Sequence, residues 1–450
     1  MSNLAESDRL QREVIFELAR AGDSQRLRRE IADVHPADLA EILDRLESDA
    51  EKLRLFGVLS DDKAGEVIRD VSDLTRGVLL DNLADSRITA VIEGVDTDDA
   101  ADIVGQLPQQ RQRLLLYRAT PETRREVEDL LSYPADSAGG IMKTEVASVT
   151  TGTSVLQIRT YLRRHRDDFH DIHNVFVTDH EGRLIGYVPV RELVLAEDKT
   201  PVDEIIESEF VSVSAYVDQE EVAHLFEKYD LLSLPVIDEE RTLVGRITID
   251  DVVDVIEEEA TEDMLKLAGV GDEPLGLPGP LTAVRSRLPW LGVNLLTATV
   301  SAATISLFEH TIQTLAIAAA FMTIVASQGG NAGVQTMTLV VRGLALGEVR
   351  SRNARRMLSR EFLIALSNGA VLGVVAGVTV YLWRENLGLA LVMGFAMIIN
   401  LIVAAVLGTL IPLSIRRLGA DPALSSPVFV TAGTDVLGFF IFLGLLTTLV

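Results

Sequence analysis

Apolar and polar positions follow three rhythms along this chain. From about residue 4 to 132, apolar residues come in short helical bursts separated by acidic turns: DLAEIL from Asp38, KAGEVI from Lys63, RITAVI from Arg87 and DAADIV from Asp99. The starts advance by two nearly equal steps and then by a step of half that length, as in stacked short helices that each show one apolar face. A scaffold with no chemistry of its own would account for that stretch. After Tyr133 and Pro134 the rhythm becomes that of strands. NVFVTDHEGRLIGYVPVREL (Asn174 to Leu193) and SLPVIDEERTLVGRITIDDV (Ser233 to Val252) share one plan: β-branched run, acidic turn, Leu-Ile/Val-Gly, second strand, helix start. Asp179 matches Asp238 and Gly186 matches Gly245, both at the same spacing. The repeat predicts an α/β module with an internal pseudo-twofold.

The third rhythm is continuous hydrophobicity. Five apolar stretches, Leu288–Phe308, Leu315–Val341, Glu361–Trp383, Leu387–Leu410 and Pro427–Val450, each approach the roughly 20 residues that cross a bilayer. Before them stands DDVVDVIEEEATEDMLKLAG (Asp250 to Gly269), predicted as a helix on Val252, Val253, Val255, Ile256 and Leu265, then the linker GVGDEPLGLPGP. Acids at i,i+4 on that helix oppose one another, and a solvated face is the plain reading of them.

Charge divides the chain at the same place. From Arg285 onward there are 11 bases and 6 acids, leaving 30 of the 41 bases and 61 of the 67 acids to the chain before it. The halves therefore carry −31 and +5, which together make the net −26. So acidic a surface selects cations and disfavours nucleic acid. Without cysteine there is no disulfide or thiolate metal site, and MSNLAESDRL does not read as a secretory signal. Arg350, Arg352, Arg355, Arg356 and Arg360 lie between the second and third stretches, and Arg416 and Arg417 between the fourth and fifth. The positive-inside rule places these loops in the cytoplasm, with the N-terminal half beside them and the C-terminus outside.

Two features break the apolar pattern. Ser327 to Thr336 reads SQGGNAGVQT, whose polar groups need a protein interior or a watered path, although the glycines also suit close helix packing. In SPVFVTAGTDVLGFFIFL, Asp435 reads as the only acid inside a span, with no Lys or Arg in any span interior to pair it. Such a group is a functional-site candidate. Asn368 and Asn400 are expected to bond between helices. Oxygen donors without Cys or His suit a hard ion, Mg²⁺ or Ca²⁺, and so sparse a set suits a hydrated one. Coupling to Na⁺ or H⁺ stays open on Asp435 alone. An anion path would want a basic lining, a two-aspartate protease a second intramembrane Asp, and a pure receptor no polar path. A metal site at His170 and His173 is an alternative to exposed turn histidines.

The repeated strand unit resembles a tandem pair of CBS domains over about 138–258. That resemblance implies a regulatory module with a cleft for an adenine nucleotide such as ATP, with Arg191 and Asp250 facing it. The whole order of parts, with GGNAGVQ and TDVLG, resembles the MgtE-type magnesium transporters. It implies a multidomain, non-enzymatic protein: an all-α superhelical N domain (1–133), α/β CBS domains (134–200 and 201–258), a connecting helix and linker (259–285) and an all-α domain of five transmembrane helices (286–450). It further implies a homodimer in the cell inner membrane, its pore between the two membrane halves, with Asp435 binding largely hydrated Mg²⁺ and Asn331, Thr338 and Thr431 lining the path. The cytosolic acids would form a Mg²⁺ sensor that closes the pore. Its candidates are Asp96 and Asp99; Gly140, Asp218, Glu220 and Asp230; Asp251, Asp254, Glu259, Glu262 and Asp263; and Asp421 on the membrane side. Transport of another divalent cation such as Co²⁺ is the alternative.

Overall fold

The computed structural model describes residues 2–166, Phe169, 172–270, 280–345 and 354–449. The chain forms two compact units, Met1–Glu257 and Glu258–Val450. His170, most of the linker after Gly269, and Arg350 and Arg352 lie outside the described residues.

The first unit opens with ten helices, α1 to α10, from Ser2–Ala21 to Pro121–Leu130. After α1 and α2 (Ser24–Glu30) they form pairs: α3 (Pro36–Arg45) with α4 (Asp49–Gly57), α5 (Asp61–Asp70) with α6 (Asp73–Asn82), α7 (Asp85–Ile92) with α8 (Thr97–Gly105), and α9 (Gln109–Arg118) with α10. The repeating unit is thus one helix pair. DAADIV at Asp99 belongs to the second helix of its pair, which explains the halved step before it. A base recurs at the same period. Lys63 Nζ donates to Ile31, Ala32 and Val34 carbonyls, Arg87 to the Leu59 carbonyl, and Arg111 to those of Leu80 and Leu83. Each satisfies carbonyls left open where an earlier helix ends. Leu39, Ile42, Leu43, Leu55, Phe56, Ile68 and Leu79 fill the core between the pairs.

Two three-stranded sheets follow. In the first, β1 (Ser148–Thr150) pairs parallel with β2 (Asn174–Thr178), which pairs antiparallel with β3 (Leu184–Pro189); in the second, β4 (Val213–Ser214), β5 (Ser233–Ile237) and β6 (Leu243–Thr248) repeat that order. The acidic turns are built alike. Asp179 Oδ1 accepts from the Glu181 and Arg183 amides, and Asp238 Oδ1 from the Thr242 amide. The two hairpins also bond to each other, Leu184 N to Arg241 O at 3.1 Å and Leu243 N to Gly182 O at 3.2 Å, which makes the pseudo-twofold physical. Helices α11 (Val155–Arg164), α12 (Val190–Leu195) and α13 (Gln219–Tyr229) complete the copies.

Helix α14 runs Ile249–Leu267. It begins inside the second strand unit, well before residue 259. Val252 and Val255 are buried, while Val253 and Ile256 are exposed, so its apolar seam is narrower than the sequence suggests.

The second unit holds α15 (Pro280–Ser306), short α16 (Glu309–Thr314), α17 (Ala318–Ala345), α18 (Ala354–Arg384), α19 (Leu387–Arg417) and α20 (Pro422–Leu449). Four helices among the described residues are long and apolar enough to cross a membrane: α15, α18, α19 and Pro427–Leu449 of α20. The expected second span, α17, is long enough at 28 residues, but SQGGNAGVQT lowers its hydropathy. It belongs to the same bundle nonetheless, because Ala318, Phe321, Met322 and Val325 share a core with α19 and α20. Glycines set the close approaches. A Cβ on Gly373 would meet Gly394 O at 2.7 Å, and one on Gly408 would meet Gly333 O at 2.7 Å.

Candidate functional site

The polar stretch of α17 divides by face. Gly329, Gly333 and Thr336 are buried against the bundle, whereas Ser327, Asn331, Gln335 and Thr338 are exposed. These four fall at i, i+4, i+8 and i+11, one stripe of a helix. Small residues therefore pack α17, and Ser327, Asn331, Gln335 and Thr338 occupy a face that the single chain leaves uncovered.

On the packed face, Gly333 lies under Val430 and Thr434 of α20, with the Val430 methyl 2.7 Å from where a Cβ would stand. Thr434 is fully buried, and Asp435 follows it at a half-buried position, one turn from Thr431 on the same face. Asn400 is fully buried and donates from Nδ2 to Val325 O at 2.8 Å; its amide fills the space beside Gly329 and Gly438. It bonds between helices as expected. Asn368 does not share that setting, because its side of α18 is exposed.

Asp435 is not the only acid inside the bundle. Glu361 of α18 is 4 % exposed, accepts from Thr336 Oγ1 at 3.4 Å, and has an Oε1 without a hydrogen-bond partner among the described residues. Glu361 is the first residue of the third apolar stretch, so that Asp435 reads as the only acid inside a span. The signal was its spacing: Glu361, Ala365, Gly369 and Gly373 recur at i, i+4, i+8 and i+12 and are all buried.

Where α14 ends, Lys266 Nζ lies 2.9 Å from Asp421 and 2.6 Å from Glu262. Asp421 also accepts from the Ala423 amide at the start of α20, and Leu267 packs against Met337, Val341, Ala423 and Val430. Burial, with Asp421 nearby, pushes the Asp263 carboxyl up. Glu262, Asp263 and Asp421 therefore do come together, with an ammonium among them.

In the first unit, Asp218 caps α13 by accepting from the Glu220 amide. Its neighbourhood meets the turn that contains Gly140: Ser137 pairs with Asp218, and Ala138 N donates to Val217 O at 2.7 Å. Gly140 is pressed on the carbonyls of Pro134 and Ala135, 2.5 Å from where its Cβ would be, so no side chain fits. Asp230 takes the left-handed conformation at the end of α13 and lines a cavity of about 800 Å³ between the two strand units. Arg191, Tyr187, Glu207, His173 and Phe210 also line it; Arg191 lies 3.7 Å from Glu207 and is largely exposed. Asp250, expected in the same cleft, does not line this cavity and instead reaches Lys143 at 3.4 Å.

Lys143 stands at the centre of a charge cluster. It is 6 % exposed, with Nζ 3.5 Å from Asp96, 3.9 Å from Asp98, 3.4 Å from Asp250 and 3.0 Å from Asp251. Asp99 lies 3.8 Å from Arg69; its carboxyl is pushed up to about 7, chiefly by burial, against the pull of Arg69 and Lys143. Burial also holds the Asp98 carboxyl well above its usual range. Asp254 and Glu259 sit farther along α14, Asp254 exposed and Glu259 half-buried. Among the described residues, no three His, Asp or Glu side chains form a group able to hold a metal ion as they stand.

Four segments of the chain match three family descriptions: residues 34–136 the MgtE intracellular N domain, 138–199 and 202–258 the CBS domain, and 322–445 the MgtE divalent cation transporter. Over 435 residues the chain is 35 % identical to the magnesium transporter MgtE of Thermus thermophilus, covering 95 % of this chain and 96 % of that one. The Bacillus subtilis magnesium transporter MgtE is 29 % identical over 436 residues, covering 97 % and 96 %. Among solved structures, the cytosolic domain of the Mg²⁺ channel MgtE in complex with ATP is similar at 37 % identity and TM-score 0.50, over 53 % of this chain and 97 % of that one. The soluble part of a magnesium transporter is similar at 26 % identity and TM-score 0.52, over 56 % and 99 %.

Proposed function

Because the chain belongs to the MgtE family of magnesium transporters, we propose that it is a Mg²⁺ channel of the cell inner membrane, closed from the cytosol by Mg²⁺ itself. The observation that carries this reading is the uncovered polar stripe of α17. Ser327, Asn331, Gln335 and Thr338 cannot face lipid without cost, so that face meets water, a second copy, or both. A homodimer with the path between its membrane halves satisfies them, and Asp435 and Thr431 supply carboxylate and hydroxyl oxygens to the hydrated ion. So few donors do not strip Mg²⁺ of its waters.

The ion needs no ATPase. Two charges moving inward gain roughly 4.6 kcal/mol per 100 mV of inside-negative potential, at about 2.3 per charge. Closure comes from the acids. Glu262, Asp263 and Asp421 at the cytosolic end of the bundle outnumber the one ammonium among them and repel unless further cations neutralise them. High internal Mg²⁺ therefore draws them together, and low Mg²⁺ releases the path. Weak, charge-paired sites of this kind respond at millimolar Mg²⁺. The cavity beside Arg191 suits a nucleotide such as ATP as a modulator, and the similar cytosolic domain solved with ATP supports that assignment.

The test is Mg²⁺ flux into liposomes holding the purified protein, with Mg²⁺ on the cytosolic face set low and then high. Flux present at low and suppressed at high Mg²⁺ is expected. Flux of Co²⁺ or Na⁺ without Mg²⁺ flux would overturn the substrate, and Mg²⁺ flux indifferent to the cytosolic face would overturn the sensor.

A further inference from the structure

The helix pairs of the N-terminal domain differ at one place. In α6 and α10, Arg76 and Arg124 reach back to carbonyls at the end of the preceding helix: Arg76 to Ile68 and Val71, Arg124 to Leu116 and Ala119. The position midway between these two arginines, in α8, is Ala100. Helix α8 thus lacks the base of its sister helices while its first turns hold Asp96, Asp98, Asp99 and Asp102. Its cation arrives from elsewhere, as Lys143 of the segment Lys143-Thr144-Glu145.

That segment is fixed to the second CBS domain by paired hydrogen bonds, Lys143 N to Arg246 O at 2.8 Å and Arg246 N to Lys143 O at 2.9 Å. From there it grips the start of α8 in two ways. Lys143 Nζ sits among Asp96 and Asp98 on one side and Asp250 and Asp251 on the other. Glu145 accepts from the Thr97 amide at 3.2 Å and from its hydroxyl at 2.9 Å, and the Thr144 amide donates to the same hydroxyl at 3.0 Å. The first contact neutralises carboxylates of two domains; the second satisfies a free amide at a helix start.

We propose that Lys143-Thr144-Glu145 is a built-in clamp, in which the Lys143 ammonium stands where a divalent cation would otherwise bridge α8 to Asp251, so that the N-terminal domain stays docked on the second CBS domain without bound metal. The proposal rests on the sensor reading above. It divides the sensor in two: docking of α8 is held by the chain itself, and the Mg²⁺ response is left to the acids at the end of α14 and to Asp421. One ammonium carries one charge where Mg²⁺ carries two, so the clamp holds α8 without saturating the cluster. Removing it leaves buried Asp98 and half-buried Asp251 without the ammonium between them.

The experiment is hydrogen exchange on the full-length protein in nanodiscs, in chelator and in millimolar Mg²⁺, for wild type, Lys143→Met and Lys143→Arg. In wild type, α8 amides should be protected in chelator and little altered by Mg²⁺. In Lys143→Met they should exchange about tenfold faster or more in chelator and recover in Mg²⁺, while α3 to α6 stay protected; Lys143→Arg should behave as wild type. Unchanged protection of α8 in Lys143→Met with chelator overturns the clamp. So does protection lost across α3 to α8 and not restored by Mg²⁺, which would make Lys143 a folding residue. If wild-type flux ignores cytosolic Mg²⁺, the sensor reading fails whatever Lys143→Met does.

Discussion

The α8 interface and the α17–α20 region both place carboxylates where water is scarce, and they meet the cost in opposite ways. Around α8 the chain supplies its own counterions: Lys143 touches four aspartates and Arg69 faces Asp99. In the bundle, Asp435 has no ion pair among the described residues, and Ser327, Asn331, Gln335 and Thr338 of α17 lie on an uncovered face. On the function proposed above, the difference separates holding from passing. A tethered ammonium suits a contact that must persist, whereas a carboxylate without a tethered cation is free to bind one that moves. The end of α14 is intermediate, since Lys266 meets Asp421 and Glu262 but Asp263 adds a further acid beside them.

The largest effect should come from Asp435. Asp435→Asn keeps the shape and removes the charge, and Mg²⁺ flux in liposomes should fall to that of protein-free vesicles while the mutant inserts and dimerises normally. Flux near wild type would break the comparison at its membrane end. Next is the packing that holds α17 with its polar face outward. Gly329→Ala drives a methyl into the buried Asn400 amide, an overpacking that costs about 1–3 kcal/mol and should lower the thermal midpoint in detergent by several degrees. An unchanged midpoint would mean that α17 is free to rotate.

Lys266→Met should act more gently, because its partners Glu262 and Asp421 are partly exposed and such pairs are worth about 0–1 kcal/mol. Without the ammonium, Glu262, Asp263 and Asp421 need more Mg²⁺ to come together, so half-closure should shift to about two- to fivefold higher cytosolic Mg²⁺. A shift to lower Mg²⁺ would show that Lys266 competes with the ion and does not assist it. The smallest effect is that of pH. Asp99 has a folded pKa of about 7, above its ordinary value, so its contribution to docking is full below about pH 4 and is lost as pH rises through 7. In chelator, α8 should exchange more slowly at pH 5.5 than at pH 7.5, after correction for intrinsic rates. Faster exchange at pH 5.5 would mean that ion pairs with ionised Asp99 outweigh its burial.

Much of the architecture was legible in the sequence because it rests on period. Helical bursts at a regular step, a strand unit written twice and long apolar stretches each encode a local geometry, and the structure has helix pairs, twin sheets and membrane-length helices in that order. The half-to-half change of charge and the isolation of Asp435 from any base were equally plain. Even the oddity of SQGGNAGVQT was visible, although its resolution was not. Only the packed helix shows that Gly329 and Gly333 turn inward while Asn331 and Thr338 turn outward, since that depends on which neighbour each face meets.

Tertiary structure alone decided which charges pair. Lys143 and Asp251 stand far apart in the chain and on different elements, so no local pattern joins them, and Asp250 looked like a cleft residue until its neighbour was known. Glu361 stands at the edge of an apolar stretch, and only the closed bundle buries it. Hydrophobic period is written residue by residue along the chain, because burying one face of a helix requires apolar groups at fixed spacing. The partner of a charge is set by distance in space, and for that the chain had first to fold.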